Sequence, residues 1–312
     1  MTTTNKKRWS VIKGGRLLIT LGLVLTTVLT AAGCSNSNAS GRNDTIVLAT
    51  KGFAESDILA NAFKILVKND TKLKTEVKKL DNTLLWNAID SGDVDAYVEY
   101  SGTALINILK QEPEFDPDKA FKTVVTQLKE KSKLIALDPL GFNNTYVFTV
   151  PRETAEKYGL KTASQLAEKS GELVFGASEE FLNRPDAWPY VESIYKPKFK
   201  ETKSIQDPSL QYQAIKQKLI DVKLSYSTDS QILANDLVAL EDDKHVFIPY
   251  DAFPVVREQT LEEHPELKEV LNKLAGKLDE KAMQKLNAEV EQDQKPALDV
   301  ARDWLKAQGL IK

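Results

Sequence analysis

Short β-rich runs alternate with helical stretches over most of this 312-residue chain. Thr45–Ala49 is an apolar run containing the β-branched residues that strands favour, and the apolar residues after it recur at the spacing of one helix face. That face consists of Ile58, Leu59, Phe63, Leu66 and Val67. Regular alternation of this kind predicts an α/β fold, with layers of helices on mostly parallel sheets.

The same criteria predict further elements along the chain. Strands are predicted at Val77–Leu80, Val94–Val98, Lys133–Ala136, Thr145–Val150, Leu173–Gly176, Val222–Tyr226 and His245–Ile248. Helices are predicted at Thr83–Asp90, Asp118–Lys131, Ala163–Glu168 and Leu210–Leu219. From about His264 onward the pattern predicts helices alone. Their starts are predicted at Pro265, Asp279 and Pro296.

The amino terminus has the pattern of a secretory signal. Residues 1–16 carry five cations and no acidic residue, and residues 17–29 form an apolar run that is shorter than the roughly 20 residues a membrane-spanning helix needs. The chain's single cysteine, Cys34, follows three small residues after this run. The pattern resembles a bacterial lipoprotein signal and predicts removal of residues 1–33 and a lipid on Cys34. The alternative is an ordinary secreted protein with a free thiol.

The chain that remains after this cleavage is acidic. Its formal net charge moves from −3 to −8, because residues 1–33 contain five cations and no anion. Binding to nucleic acid or to an anionic lipid surface needs clustered Lys and Arg, so neither is predicted. Residues 34–43 are rich in Ser and Asn without apolar periodicity, and are predicted to be a flexible tether. The folded body is predicted to start near Asp44.

The sequence contains no catalytic or metal-binding motif. Its two histidines, His245 and His264, lack the neighbouring Cys, Asp or Glu spacing of a zinc site. The 14 glycines are scattered and form neither of the common phosphate-binding patterns. The sequence therefore predicts a protein that is not an enzyme and that has no metal and no cofactor.

Four segments combine a tyrosine with polar or turn-forming residues at predicted strand ends and turns. They are Glu99–Thr103, Gly141–Tyr146, Ser225–Asp229 and Phe247–Pro254. Strand ends and loops are where α/β folds place their ligand sites. These segments are therefore the candidates for a binding site.

Together with three further segments, they resemble the solute-binding lipoproteins of ABC importers for quaternary-ammonium osmoprotectants, namely glycine betaine, carnitine and choline. The further segments are Lys51–Glu55, Phe181–Asp186 and Leu240–His245. Each motif is weak alone, but their shared order and spacing cover essentially the whole mature chain. The resemblance implies a two-lobed, type II periplasmic-binding-protein fold with a hinged ligand cleft. It implies that lobe I comprises 44–139 with 244–312, and that lobe II comprises 140–243.

The resemblance also implies which residues bind the ligand. The aromatic cage falls on Tyr100, Tyr146, Tyr226 and Tyr250, and the carboxylate-binding positions fall on Lys51, Thr103 and Arg184. Aromatic faces suit a trimethylammonium group, which cannot donate a conventional hydrogen bond, whereas cations and a hydroxyl suit a carboxylate. Other interpretations of the second set stay open: Thr103 as a helix cap, and the two cations as ordinary surface charges.

The implied function is that of a receptor on the extracytoplasmic face of the cell membrane, lipid-anchored, that captures a quaternary-ammonium solute. Its implied partners are the membrane permease and the cytoplasmic ATPase of an ABC importer. Thr103 favours betaine and carnitine, because relatives that prefer choline tend to have an acid there. Two alternatives remain: a receptor for another trimethylammonium compound, such as ergothioneine or a histidine betaine, and a lipoprotein that senses a solute without importing it.

Overall fold

The computed structural model describes residues 44–183 and 187–312, all of which belong to one compact unit of the chain. Four predicted features lie outside these ranges: the signal peptide at 1–33, the tether at 34–43, the lipidation site Cys34 and the binding residue Arg184. None of the helices within the two described ranges is long and apolar enough to cross a membrane.

The described residues form two five-stranded sheets, and the first combines strands from early and late in the chain. Its strands are β1 (Thr45–Thr50), β2 (Lys74–Lys79), β3 (Ala96–Tyr100), β4 (Leu134–Ala136) and β10 (Ala252–Arg257). They lie in the order β2-β1-β3-β10-β4. Strand β1 runs parallel to β2 and β3, whereas β10 runs antiparallel to β3 and β4.

The second sheet contains the strands that lie between β4 and β10 in the sequence. They are β5 (Tyr146–Pro151), β6 (Val174–Ala177), β7 (Glu201–Ser204), β8 (Val222–Tyr226) and β9 (Leu237–Ala239). Their order is β7-β6-β8-β5-β9. Strand β6 is parallel to β7 and β8, and β5 is antiparallel to β8 and β9. The chain therefore leaves the first sheet once and returns to it once.

Helices pack against these sheets. The α-helices are α1 (Ala54–Asp70), α2 (Asn82–Ser91), α3 (Pro117–Ser132), α4 (Arg152–Tyr158), α5 (Ala163–Lys169), α6 (Glu179–Asn183), α7 (Trp188–Tyr195), α8 (Pro208–Lys216), α9 (Gln231–Ala234), α10 (Glu258–Glu263), α11 (Glu266–Asn272), α12 (Glu280–Glu291) and α13 (Ala297–Ala307). A π-helical segment spans Thr103–Ile108, and a 3₁₀ turn spans Ser170–Glu172.

The apolar run of β1 is buried on both faces of the first sheet. Ile46 and Leu48 belong to a core formed with α1 and with the C-terminal helices α11, α12 and α13. Val47 and Ala49 belong to a second core, formed with α2 and α3. Successive side chains of a strand point to opposite faces, so a strand covered on both sides needs an uninterrupted apolar run.

The helical C-terminal region confirms the predicted starts. Helices α11, α12 and α13 begin one residue after Pro265, Asp279 and Pro296. The Asp279 carboxylate accepts a hydrogen bond from the Ala282 N–H at 2.7 Å, which satisfies one of the unpaired donors in the first turn. A helix start depends on residues within its first turn, so it can be predicted from the local sequence.

The predicted strand His245–Ile248 is wrong. The Asp242 carboxylate accepts a hydrogen bond from the Phe247 N–H at 2.9 Å, and His245 adopts a left-handed φ of 51°, so this segment is a turn. The strand that enters the first sheet is β10, which begins at Ala252. Proline in a run argues against a strand, and Pro254 inside β10 therefore hid it from sequence analysis.

The sheets are mixed, which corrects the prediction of mostly parallel sheets. The antiparallel members are β5 and β10, and each is the first strand after the chain passes from one sheet to the other. Parallel neighbours are usually joined by a helix that crosses over one sheet. Strands β5 and β10 arrive from the other sheet instead. The short strands β7 and β9 were also not predicted, and β7 is a polar, mostly exposed segment.

Two segments, residues 137–145 and 240–251, connect the sheets and pair with each other. Asn143 and Asp251 form an antiparallel bridge, and the Thr145 hydroxyl donates to the Ile248 carbonyl at 2.7 Å. The lobe limits implied by the resemblance stay a prediction.

Candidate functional site

A cavity of about 430 Å³ lies at the ends of strands from both sheets. Its lining residues are Lys51, Phe53, Asn82, Tyr100, Thr103, Asn144, Tyr146, Tyr226 and Tyr250. Lys51 directly follows β1 and Tyr100 ends β3, and these strands are parallel, so both side chains reach the same edge of the first sheet. The cavity thus brings together six of the seven predicted binding residues, and the seventh, Arg184, lies outside the described residues.

Tyr146 and Tyr226 form a stacked pair on the side of the second sheet. They are direct cross-strand partners in the β5–β8 ladder, and their ring centroids lie 4.8 Å apart at an interplanar angle of 24°. Their hydroxyl oxygens are 3.1 Å apart. Tyr146 is also flanked by Phe181 and Phe247, with centroids at 5.8 and 6.1 Å, whereas Tyr226 is 52% exposed. The pair presents aromatic surface at the cavity.

Tyr100 lines the same cavity from the side of the first sheet, and a hydrogen bond to Glu55 fixes its side chain. Its side chain is 5% exposed, and its hydroxyl donates to Glu55 Oε1 at 2.6 Å. Burial, together with the negative charge of Glu55, raises the pKa of Tyr100 well above its usual range. The phenol therefore stays protonated and keeps its donor. The Phe53 ring lies beside it, with centroids 6.4 Å apart.

Tyr250 is placed by the connecting segments. Its backbone N–H donates to Asn143 Oδ1 at 2.6 Å, and its ring lies against Gly102. A Cβ at Gly102 would be 2.8 Å from both the Pro249 carbonyl oxygen and Tyr250 Cε1, so the approach needs a residue without a side chain. Thr103 follows as the first residue of the π-helical segment. Gly102 occupies the cap position, so the interpretation of Thr103 as a helix cap is wrong.

Lys51 is buried, which contradicts its interpretation as an ordinary surface charge. Its side chain is 6% exposed and forms an ion pair with Glu99. The ammonium lies 5.0 Å from the Tyr100 ring centroid. The Glu99 carboxylate also accepts from the Tyr97 hydroxyl at 3.0 Å and from the Tyr100 N–H at 2.8 Å. The charge of Lys51 at the cavity is therefore balanced by Glu99.

Glu55 is a residue of the site that sequence reasoning missed. It is 2% exposed in the first turn of α1, where an acid is normally explained by the helix dipole. Besides Tyr100, it accepts hydrogen bonds from the side-chain amides of Asn144 at 3.0 Å and Asn287 at 3.3 Å. Burial raises the pKa of its carboxyl above the usual value. The only sequence signal was its place in the segment Lys51–Glu55.

A second cavity of about 250 Å³ adjoins the first, since Tyr146 and Tyr226 line both. It contains Lys223 of β8, which is 1% exposed. The ammonium donates to the Leu224 carbonyl at 2.7 Å and lies 3.7 Å from the Tyr212 ring centroid. Burial lowers the pKa of Lys223 to about 8.

The described residues contain no group of three or more His, Cys, Asp or Glu side chains placed to hold a metal ion. The site is thus built from aromatic rings, hydroxyls, amides and buried charges. Such groups can bind and orient a small charged molecule.

Comparison with known proteins identifies relatives of the chain. The family model described as the substrate binding domain of the ABC-type glycine betaine transport system matches residues 44–307. The carnitine transport binding protein OpuCC of Listeria monocytogenes is 38% identical over 289 residues, which are 91% of this chain and 94% of that protein. The matched family is one of transport substrate-binding domains and not an enzyme class.

Two further matches bear on ligand and fold. The ergothioneine transport permease/ergothioneine binding protein EgtU of Helicobacter pylori is 34% identical over 267 residues, covering 85% of this chain and 48% of that protein. A crystal structure of a glycine betaine/carnitine/choline ABC transporter protein matches with a TM-score of 0.81 and 36% identity, covering 85% of this chain and 98% of that chain. The structural match confirms the predicted two-lobed α/β fold.

Proposed function

Because the chain belongs to the family of substrate-binding domains of ABC-type glycine betaine transport systems, we propose that it captures a quaternary-ammonium solute and delivers it to an ABC importer. Carnitine, glycine betaine and choline are the expected ligands. The observation that carries the proposal is the convergence of four tyrosines on one cavity, three of them from strands of the two sheets and Tyr250 from a connecting segment. The names of two relatives, a carnitine binding protein and a glycine betaine/carnitine/choline transporter protein, support the same ligand class.

The four tyrosines are proposed to form the cage for the ammonium end. A trimethylammonium group spreads its charge over methyl groups and is attracted to the faces of aromatic rings. Each face contributes about 0.5–2 kcal/mol, depending on how far the contact is desolvated. Four faces would supply a large share of the roughly 8 kcal/mol that corresponds to a micromolar dissociation constant.

The other end of betaine or carnitine is a carboxylate, for which Lys51 and Thr103 are the proposed partners within the cavity. The Lys51 ammonium has three N–H donors, of which the ion pair with Glu99 occupies one. The other two donors are proposed to meet a ligand oxygen. Arg184 is a further proposed partner, on the basis of the family resemblance alone, and would form a charge-assisted hydrogen bond.

The remaining parts of the proposal concern the cell. A ligand that contacts residues of both lobes stabilises the closed form over the open one, and the closed form is the one proposed to dock on the membrane permease. ATP hydrolysis belongs to a separate cytoplasmic subunit. The lipid proposed on Cys34 holds the receptor at the extracytoplasmic face of the membrane.

The test is isothermal titration of the full chain, in non-ionic detergent, against glycine betaine, carnitine, choline and ergothioneine. Saturable binding of betaine, carnitine or choline, with a dissociation constant near micromolar, is the expected result. If ergothioneine alone binds, the ligand assignment changes to that of the Helicobacter relative. If folded protein binds none of the four, the quaternary-ammonium proposal is wrong.

The sensing alternative is separated by a cellular measurement. Deletion of the gene is expected to abolish uptake of the labelled solute that titration identifies. Normal uptake in the deletion strain, together with an altered cellular response to that solute, would favour a sensor over an importer subunit.

A further inference from the structure

The two buried carboxylates behind the cavity differ in how their charge is balanced. Glu99 forms an ion pair with Lys51. The hydrogen-bond donors to Glu55 are instead neutral groups: the hydroxyls of Tyr100 and Thr228 and the amides of Asn144 and Asn287. In the described part of the chain, no Lys, Arg or His side chain lies within ion-pair distance of Glu55. Glu55 is therefore a buried carboxylate of this site that has no counter-cation among the described residues.

The position of Glu55 makes this charge relevant to a ligand. It lies one hydrogen bond from Tyr100, at 2.6 Å, and the Tyr100 ring lines the cavity. A cation over that ring would be separated from the carboxylate by little more than the phenol itself. Both the cation and the carboxylate would be shielded from water. In such an environment of low dielectric constant, electrostatic attraction is much stronger than in bulk solvent.

The hydrogen bond also affects the ring. A phenol that donates to a carboxylate shifts electron density into its π-system, and the face of the ring attracts a cation through that density. Burial without a compensating cation costs free energy, as the raised pKa of Glu55 indicates. A ligand cation in the cavity would offset part of that cost.

We propose that Glu55 is a specificity-determining residue of this cavity, whose unbalanced negative charge, acting across Tyr100, selects a cationic ligand over a neutral molecule of the same shape. This inference rests on the proposed function, because it assumes that the ligand is a quaternary ammonium compound. It assigns the charge selectivity to a residue that does not itself line the cavity.

The substitution Glu55→Gln removes the charge and keeps the shape. The structure provides for the new amide, because the buried side-chain oxygens of Asn144 and Asn287 have no hydrogen-bond partner among the described residues. The introduced N–H₂ group can donate to one of these oxygens after a half-turn of that asparagine's side-chain amide, since both asparagines turn their N–H₂ groups to Glu55 in the wild type. We therefore expect the variant to fold, which its thermal unfolding curve checks.

The experiment compares choline with dimethylbutanol, the neutral isostere in which carbon replaces the quaternary nitrogen. Affinities for the full chain in non-ionic detergent are measured by titration for choline and by ligand-observed NMR for the isostere. Glu55→Gln is expected to weaken choline binding about tenfold and to leave dimethylbutanol binding within about twofold. The matched control is Glu263→Gln, which removes one negative charge far from the binding cavity: Glu263 lines a separate cavity next to Thr45, where β1 begins, whereas the binding cavity lies where β1 ends. This variant should change neither affinity.

Equal losses for both ligands would mean that Glu55 only holds Tyr100 in place, and would overturn the inference, as would an unchanged choline affinity. If Glu55→Gln does not fold, Glu55→Asp decides, because it retains the charge. That variant must keep the wild-type ratio of the two affinities within about threefold, and a tenfold fall in the ratio would overturn the inference. Failure of wild-type protein to bind any quaternary ammonium compound is a separate outcome, which overturns the proposed function as well.

Discussion

The four tyrosines that line the cavity differ in what else holds them. Tyr100 is fixed by its hydrogen bond to Glu55, and the backbone of Tyr250 by Asn143. Tyr146 is packed between aromatic neighbours. Tyr226 is half exposed, so its side chain contributes little to any core. Tyr226 is thus the position where loss of binding and loss of folding can best be separated.

Tyr226→Ala should weaken binding of choline and betaine by roughly 3- to 30-fold, which corresponds to the loss of one aromatic face. Titration measures this change, and the thermal midpoint should stay within about 2 °C of wild type because the residue is exposed. Tyr158→Ala is the matched control, since the Tyr158 hydroxyl contacts Lys157 and Glu172 rather than the cavity. Equal affinities of Tyr226→Ala and wild type would contradict the cage.

The burial of Lys223 predicts that the folding stability of the protein depends on pH. Its pKa in the folded protein is about 8, below the usual value of 10.5, because burial disfavours the charged form. Between these two values the unfolded chain holds the proton more tightly than the folded one. Stability from this group is therefore fully present above pH 10.5 and is lost as the pH falls to about 8.

Replacement of Lys223 by Met removes this dependence. The free energy of unfolding of wild type relative to Lys223→Met should rise by about 3 kcal/mol between pH 8 and pH 10.5, as measured by urea denaturation at several pH values. Lys216→Met, on the exposed part of α8, is the control and should follow wild type. A constant difference between wild type and Lys223→Met over this range would show that folding does not lower the pKa of Lys223, so that its ammonium stays charged when buried.

Among the structural elements, the turn from β3 into the π-helical segment sets the distance between Tyr100 and Thr103 on one side of the cavity and Tyr250 on the other. Gly102 lies there with a helical φ of −64°, so its backbone would accept any residue. What requires glycine is the contact with Pro249 and the Tyr250 ring. Pro249 and Tyr250 can lie this close to the turn only because residue 102 has no side chain.

Gly102→Ala should therefore move Tyr250 and reduce stability by about 1–3 kcal/mol, the usual cost of an inserted methyl group in a packed site. Ligand affinity should fall with it, and both quantities are measurable by urea denaturation and titration. Gly171→Ala is the control, because its nearest atom would be 3.7 Å from the new Cβ. If Gly102→Ala keeps wild-type stability and affinity, then Pro249 and Tyr250 can move away from the added methyl group without cost, and glycine is not required at this position.

The helices and strands also show which elements a local sequence pattern can predict. The starts of α11, α12 and α13 were predicted to within one residue, at Pro265, Asp279 and Pro296, because capping residues and proline act within one turn. Strand β10 was missed and residues 245–248 were assigned wrongly, because the decision depended on a turn held by Asp242 and on pairing with β3. Pairing partners more than 150 residues apart in the sequence, such as Ala252 and Tyr100, leave no local periodicity.

At the scale of the whole molecule, the cavity exists because two sheets contribute to it. Lys51 and Tyr100 come from the first sheet, and Tyr146 and Tyr226 from the second. The family resemblance named these positions correctly as neighbours in space, although no local rule connects them. Their roles in binding stay a prediction that the titrations above test.

Local pattern is enough to predict the alternation of strands and helices, the starts of the C-terminal helices and the placement of the tyrosines near strand ends, because periodicity and capping act over a few residues. The pairing of Lys51 with Glu99, and of Glu55 with Asn287, which is 232 residues away, depends on the packed fold. Such contacts depend on which buried polar groups the packed fold brings together. The charge of the cavity is therefore a property of the folded chain, although each charged residue is visible in its sequence.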